Sequence, residues 1–142
     1  MKKVILLLSL LLLFLVSCSK ITINAKMYQL ENFKYSKKID DYEYEILDTY
    51  NDYESNLNKS NMNEYDKVFF DSSSLIIIYL KEPSSNKYEL KEASIINNNL
   101  KITVNKVLDG LTLGMTTVSY CIEVESKNIS MVEVNRVKMN QE

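Results

Sequence analysis

Six consecutive apolar residues, Leu75-Ile76-Ile77-Ile78-Tyr79-Leu80, stand between the polar clusters Asp71-Ser72-Ser73-Ser74 and Glu82-Pro83-Ser84-Ser85-Asn86. Their number and their β-branched content favour a strand over a helix. A strand with no polar position along its middle has no face to offer to water, so it belongs at the centre of a covered sheet. Whatever else the chain does, it must build around this strand.

The flanking sequence supplies further strands. Ile21, Ile23 and Ala25 alternate with Thr22 and Asn24, and Tyr42, Tyr44 and Ile46 alternate with Glu43 and Glu45. This period of two marks half-buried strands. Between them Met27 to Tyr35 is a weaker segment, with Tyr28, Leu30, Phe33 and Tyr35 expected to face inward. Tyr88 and Leu90 open another strand, which shifts face before Ile95. Asn97-Asn98-Asn99 reads as a hairpin turn, since asparagine tolerates positive φ. Leu100, Ile102 and Val104 continue beyond it, and Val118, Tyr120, Ile122 and Val124 alternate with Ser119, Cys121, Glu123 and Glu125, which assigns Cys121 to the more polar face. The segment from Leu108 to Met115 holds both glycines, Gly110 and Gly114. Ser126 to Asn128 turns, and Met131 to Met139 closes with Val132, Val134 and Val137 apolar.

One stretch breaks the period. Tyr50, Tyr53 and Leu57 recur at helical spacing, and Thr49 with Asp52 makes a capping pair, so one short helix is expected over about residues 50–59. Glu64 to Phe70 is read as a helical turn that delivers Phe69 and Phe70 to the core. The expected fold is mainly β: an antiparallel β-sandwich or small barrel with that one helix.

The first seventeen residues follow different rules. Met1-Lys2-Lys3 is basic, and Val4 to Val16 is apolar except at Ser9. That run is short of the ~20 residues a membrane span needs and suits the core of an export signal. Leu15-Val16-Ser17-Cys18 closes it and resembles the lipobox of bacterial lipoproteins. The resemblance implies cleavage before Cys18 and modification of its sulfur with diacylglycerol, with fatty-acyl chains such as palmitate holding the mature chain on the outward face of a membrane. The expected organisation is therefore a signal peptide at 1–17, one β-rich domain at 18–139 and a tail at 140–142. No long Gly/Ser/Pro tether follows Cys18, which would keep the domain near the membrane surface.

Without residues 1–17 the chain keeps 15 basic and 19 acidic side chains. That balance argues against nucleic-acid binding, which needs a basic face, and against electrostatic adhesion to anionic lipid. The chain has no histidine, a single arginine at Arg136, and only Cys121 besides Cys18. No disulfide within the mature chain is then available, Cys–His activation is excluded, and zinc or copper ligands are too few. No phosphate loop, nucleophile elbow or dinucleotide fingerprint occurs. The acidic stretch Asp40, Asp41, Glu43, Glu45, Asp48, Asp52 and Glu54 lacks calcium-loop spacing and reads as a solvated face. No catalytic, cofactor-binding or metal residue is assigned.

Seven of the ten tyrosines fall between Tyr28 and Tyr65. Tyrosine favours strands, and when exposed it suits protein or glycan contact. Finally, Phe69-Phe70, Ser74 to Tyr79, Leu100-Lys101-Ile102 and Thr117 to Tyr120 with Glu123 following resemble a small β domain of exported proteins in low-GC bacteria. That domain is similar to the C-terminal domain of an accessory subunit in a bacterial surface protease complex. The resemblance spans about residues 64–139 and implies a stabilising, non-catalytic role. The sequence thus points to a lipid-anchored, non-enzymatic protein that binds or stabilises another envelope protein, with a small-molecule or glycan-binding lipoprotein as the alternative.

Overall fold

The computed structural model describes residues 20–83, 86–108 and 114–137. The proposed signal peptide, Cys18, Gly110 and the tail lie outside these residues. Among the described residues eight strands form: β1 (Ile21–Thr22), β2 (Ala25–Leu30), β3 (Tyr42–Leu47), β4 (Ser74–Pro83), β5 (Lys87–Ile96), β6 (Asn99–Leu108), β7 (Met115–Val124) and β8 (Met131–Val137). They make two four-stranded sheets, ordered β1-β5-β6-β8 and β2-β7-β4-β3. The sheets pack face to face over Ile76, Ile78, Leu80, Leu100, Ile102, Val104, Tyr120, Ile122 and Val132, so the sandwich expectation holds.

The strand expected at the centre, β4, lies between β3 and β7. Its residues Leu75 to Leu80 have no exposed surface, and its two faces serve two different cores. Ile76, Ile78 and Leu80 meet the opposing sheet. Leu75, Ile77 and Tyr79 point the other way, against Leu30, Ile39, Leu47, Tyr53 and Phe70. Leu30 and Leu47 are the last residues of β2 and β3 in the same sheet. Ile39 comes from the segment joining those strands, and Tyr53 and Phe70 from two short helices, α1 (Tyr50–Ser55) and α2 (Phe69–Ser72), which form a third layer. Each large side chain so buried contributes ~1.5–3 kcal/mol.

Several expectations need correction. Cys121 is fully buried in the second core and does not lie on a polar face. Polar Ser119 and Glu123 on either side imitate the alternation of an exposed strand, but the third layer covers this face of β7. The helix ends at Ser55, and Leu57 is 76% exposed. The Asn56 side chain accepts the Asn58 backbone N–H at 2.8 Å, and such local bonding competes with helix continuation. A 3-10 turn over Lys59–Asn61 follows. The expected N-terminal capping box at Thr49 and Asp52 is present. The single helix becomes two, since Phe69–Ser72 forms its own short turn of helix.

The first strand is divided. β1 pairs with β5 in one sheet, and after Asn24 the chain enters the other sheet as β2 beside β7. The pairing is also not wholly antiparallel, because β8 runs parallel to β6. Between them β7 crosses to the other sheet, so the chain returns in the direction of β6. The hairpin at Asn97 and Asn98 forms as expected, with φ of 50° and 64°, the combination a type I′ turn requires.

Candidate interaction surface

Cys18 lies outside the described residues, which begin at Lys20. Among the described residues, no helix is long and apolar enough to cross a membrane.

The tyrosine-rich segment does not form an aromatic cleft. Tyr53 is buried in the core under the third layer, Tyr28, Tyr35, Tyr50 and Tyr65 pack partly buried against that core, and Tyr42 and Tyr44 pack at the margin of the inter-sheet core. Tyr35 stacks on Tyr79 with ring centroids 4.0 Å apart. Tyr53 meets Tyr65 edge to face at 5.5 Å. Asn58, which sequence reasoning overlooked, fixes this layer. Its side chain accepts the Lys34 backbone N–H at 2.5 Å and donates to Lys34 O at 3.1 Å and Tyr79 Oη at 3.0 Å. Asparagine in a polar loop carries no sequence signal for such a role.

The acidic stretch is dispersed. Asp41 and Glu82 take the two guanidinium nitrogens of Arg136. Glu45 accepts from Asn56, Asp48 from Ser74, and Asp52 from the Thr49 N–H in the capping box of α1. Glu54 pairs with Lys59, whose ammonium holds the Glu54 carboxyl below the usual range. Apart from Asp41 and Glu82, which share Arg136, each of these carboxylates serves a different local contact. Among the described residues, no group of three or more His, Cys, Asp or Glu converges as a metal site would.

One partly buried polar chain leads from the second core to the surface. Tyr65 Oη donates to Glu123 Oε1 at 2.7 Å. Its proton is thereby committed, so in the 3.0 Å contact between Tyr28 and Tyr65 the Tyr28 hydroxyl donates. Tyr28 Oη in turn accepts the Asn63 N–H at 3.1 Å. Cys121 lies behind it, with its thiol pushed up to about 12, first by desolvation. Desolvation raises the Tyr28 and Tyr65 phenols as well. A buried thiol held neutral is a poor nucleophile. Glu123 ends this chain at an open cleft of about 450 Å³, bordered by Asn24, Lys26, Phe69 and Glu125. The remaining clefts described are also open and polar-edged, including one of about 310 Å³ beside Arg136, Tyr88 and Lys106.

The surface that remains is made of ends and edges. The outer edge of β8 has no strand beside it among the described residues, and Met131, Glu133 and Val137 on it are exposed. The opposite edge of the same sheet is covered only by two-residue β1. There β5 carries Lys87, Glu89, Lys91 and Glu92 and an irregularity between Leu90 and Glu92, features that discourage strand addition.

No protein-family model matches the chain, and no curated protein or solved structure matches it either. The likeness to the accessory domain of a protease complex rests on residue pattern alone.

Proposed function

We propose that this is an extracytoplasmic lipoprotein, anchored through lipid on Cys18, that binds or stabilises another envelope protein and performs no catalysis of its own. The observation that supports it best is the filling of both faces of the central sheet. Ile76, Ile78 and Leu80 fill one side, and Leu75, Ile77 and Tyr79 the other. The tyrosines that would have lined a ligand cleft are spent on packing, which weighs against the glycan or small-molecule reading. What is left for function is contact through an exterior strand or loop. The open edge of β8 suits an extended segment of a partner, since main-chain groups there have no strand beside them. The resemblance to a stabilising accessory domain points the same way.

A photo-crosslinking residue placed at Glu133 on β8, and separately at Lys38 in the loop between β2 and β3, tests this in intact cells. A discrete product with one envelope protein from position 133, absent from position 38, is the expected result. Absence of any product, together with turnover of a substrate panel that is lost on substitution of one carboxylate such as Glu123, would overturn it.

A further inference from the structure

One end of the sandwich differs in kind from the other. Ile21, Ile95, Leu100 and Val132 lie in register as a row across all four strands of the β1-β5-β6-β8 sheet. Beyond them Asn99 pairs with Ile96 and with Met131, and the Asn97-Asn98 turn closes the end. Ser130 clamps the incoming chain there, its N–H donating to Asn98 O at 2.9 Å and its hydroxyl lying 3.1 Å from Asn99 Oδ1. The end is therefore a fixed surface and not a loose loop. Residues 95–100 and 126–132 contain no Asp or Glu. Ile21 is 58% and Met131 46% exposed. The opposite end gathers Asp41, Glu82, Lys106 and Arg136.

Chain direction adds the decisive constraint. β1 starts at this end, and only Ser19 and Lys20 separate Ile21 from Cys18. At ~3.3–3.6 Å per residue, the Cα of Ile21 lies within roughly 10 Å of that of Cys18. A lipid on Cys18 leaves this end almost no freedom to leave the bilayer.

We propose that the end formed by Ile21, the Asn97-Asn98 turn and Met131 rests on the lipid surface, with Ile21 and Met131 entering the headgroup region, so that the end around Arg136 faces outward. The inference rests on the lipobox reading. Half-exposed apolar side chains gain by burial at the interface, and the turn segments themselves carry no carboxylate to repel anionic lipids. The carboxylates at this end, Asp48 after β3 and Glu125 after β7, are bonded to Ser74 and Asn24. The orientation stands β8 along the membrane normal, with its edge reachable from the side.

The test uses the mature lipoprotein in phosphatidylethanolamine–phosphatidylglycerol vesicles, with an environment-sensitive thiol dye at Asn98→Cys or at Lys87→Cys. Buried Cys121 and lipidated Cys18 leave the introduced thiol as the reactive one. The label at 98 is expected to shift to the blue and lose quenching by aqueous iodide, while the label at 87 keeps both. Ile21→Ser with Met131→Ser is expected to restore iodide access at 98. Lipid found on Cys18 with equal quenching at both positions overturns the orientation alone. A mass showing no lipid on Cys18 overturns the anchor, and this inference with it.

Discussion

Ile77 in β4 and Cys121 in β7 are register partners whose side chains both point away from the opposing sheet, and neither has any exposed surface. The pair lies beneath the third layer, at the centre of the second core. Ile77→Asp is expected to prevent stable folding, since an unpaired buried carboxylate costs several kcal/mol. Cys121→Ser is expected to cost about 1–2 kcal/mol, because it puts a hydroxyl where a weakly polar thiol sat. Urea denaturation of the two variants beside the parent checks both. A Cys121→Ser midpoint equal to the parent's would mean that this face of β7 is open.

The same pair shows where the sequence could be read and where it could not. The run from Leu75 to Leu80 declares two buried faces, because no polar residue interrupts it. β7 needs the same burial, yet Ser119 and Glu123 flank Cys121 and mimic a solvent face. Glu123 reconciles the two by reaching the surface, where Tyr65 donates to it. Period-two patterning also located β3 and β6, and asparagine's tolerance of positive φ located the Asn97-Asn98 turn, since each depends on local conformation. Pairing partners were not legible. Nothing in Val132 and Val134 tells that β8 lies parallel to β6, and nothing in Ile21 to Ala25 tells that the chain changes sheets at Asn24. The proposed anchor is the reverse case, since it rests on the lipobox-like pattern of Leu15 to Cys18 and lies outside the described residues.

Asn58 is expected to matter more than its place in a polar loop implies. Asn58→Ala would leave the Lys34 backbone groups and the Tyr79 hydroxyl without their partner in a site that is 2% exposed. Unmade buried hydrogen bonds cost ~1–3 kcal/mol each to the groups left behind. A fall of about 2–4 kcal/mol in unfolding free energy is expected, with early exchange of the Lys34 amide. A loss under ~0.5 kcal/mol, the range of an ordinary surface substitution, would contradict the role.

Arg136 holds the end opposite the Asn97-Asn98 turn together, with Glu82 buried beneath it and Asp41 exposed beside it. Arg136→Met is expected to cost about 1–3 kcal/mol, since it strips the buried Glu82 of its charge partner. Asp41→Ala is expected to cost less than ~1 kcal/mol, as surface pairs do. Thermal melts that rank the two in the opposite order would contradict this.

Stability should fall in alkali. Burial raises the Cys121 thiol from 9.0 to about 12, so between those values the unfolded chain releases a proton that the folded chain keeps. The unfolded state then binds fewer protons, and stability declines with pH by ~1.4 kcal/mol per unit for one such group. The contribution is fully present below about pH 9 and is lost as pH rises towards 12. Burial raises the Tyr28, Tyr79, Tyr88 and Tyr120 phenols from 10.0, with the same sign. Urea midpoints are therefore expected to be flat to about pH 9 and then to drop. Cys121→Ala should move the onset towards 10, where the tyrosines begin. Constant midpoints across that window would contradict the burial of these groups.

The account depends most on what is attached to Cys18. Mass spectrometry of the chain purified from membranes of the native host, after digestion, reads it directly. The predicted result is an N-terminal peptide beginning at Cys18 and carrying the mass of diacylglycerol, and Cys18→Ala is predicted to leave the signal uncleaved and unlabelled by a fatty-acid probe. A peptide that retains Met1-Lys2-Lys3, or one that begins at another residue with an unmodified Cys18, would contradict the anchor and remove the basis for an envelope partner.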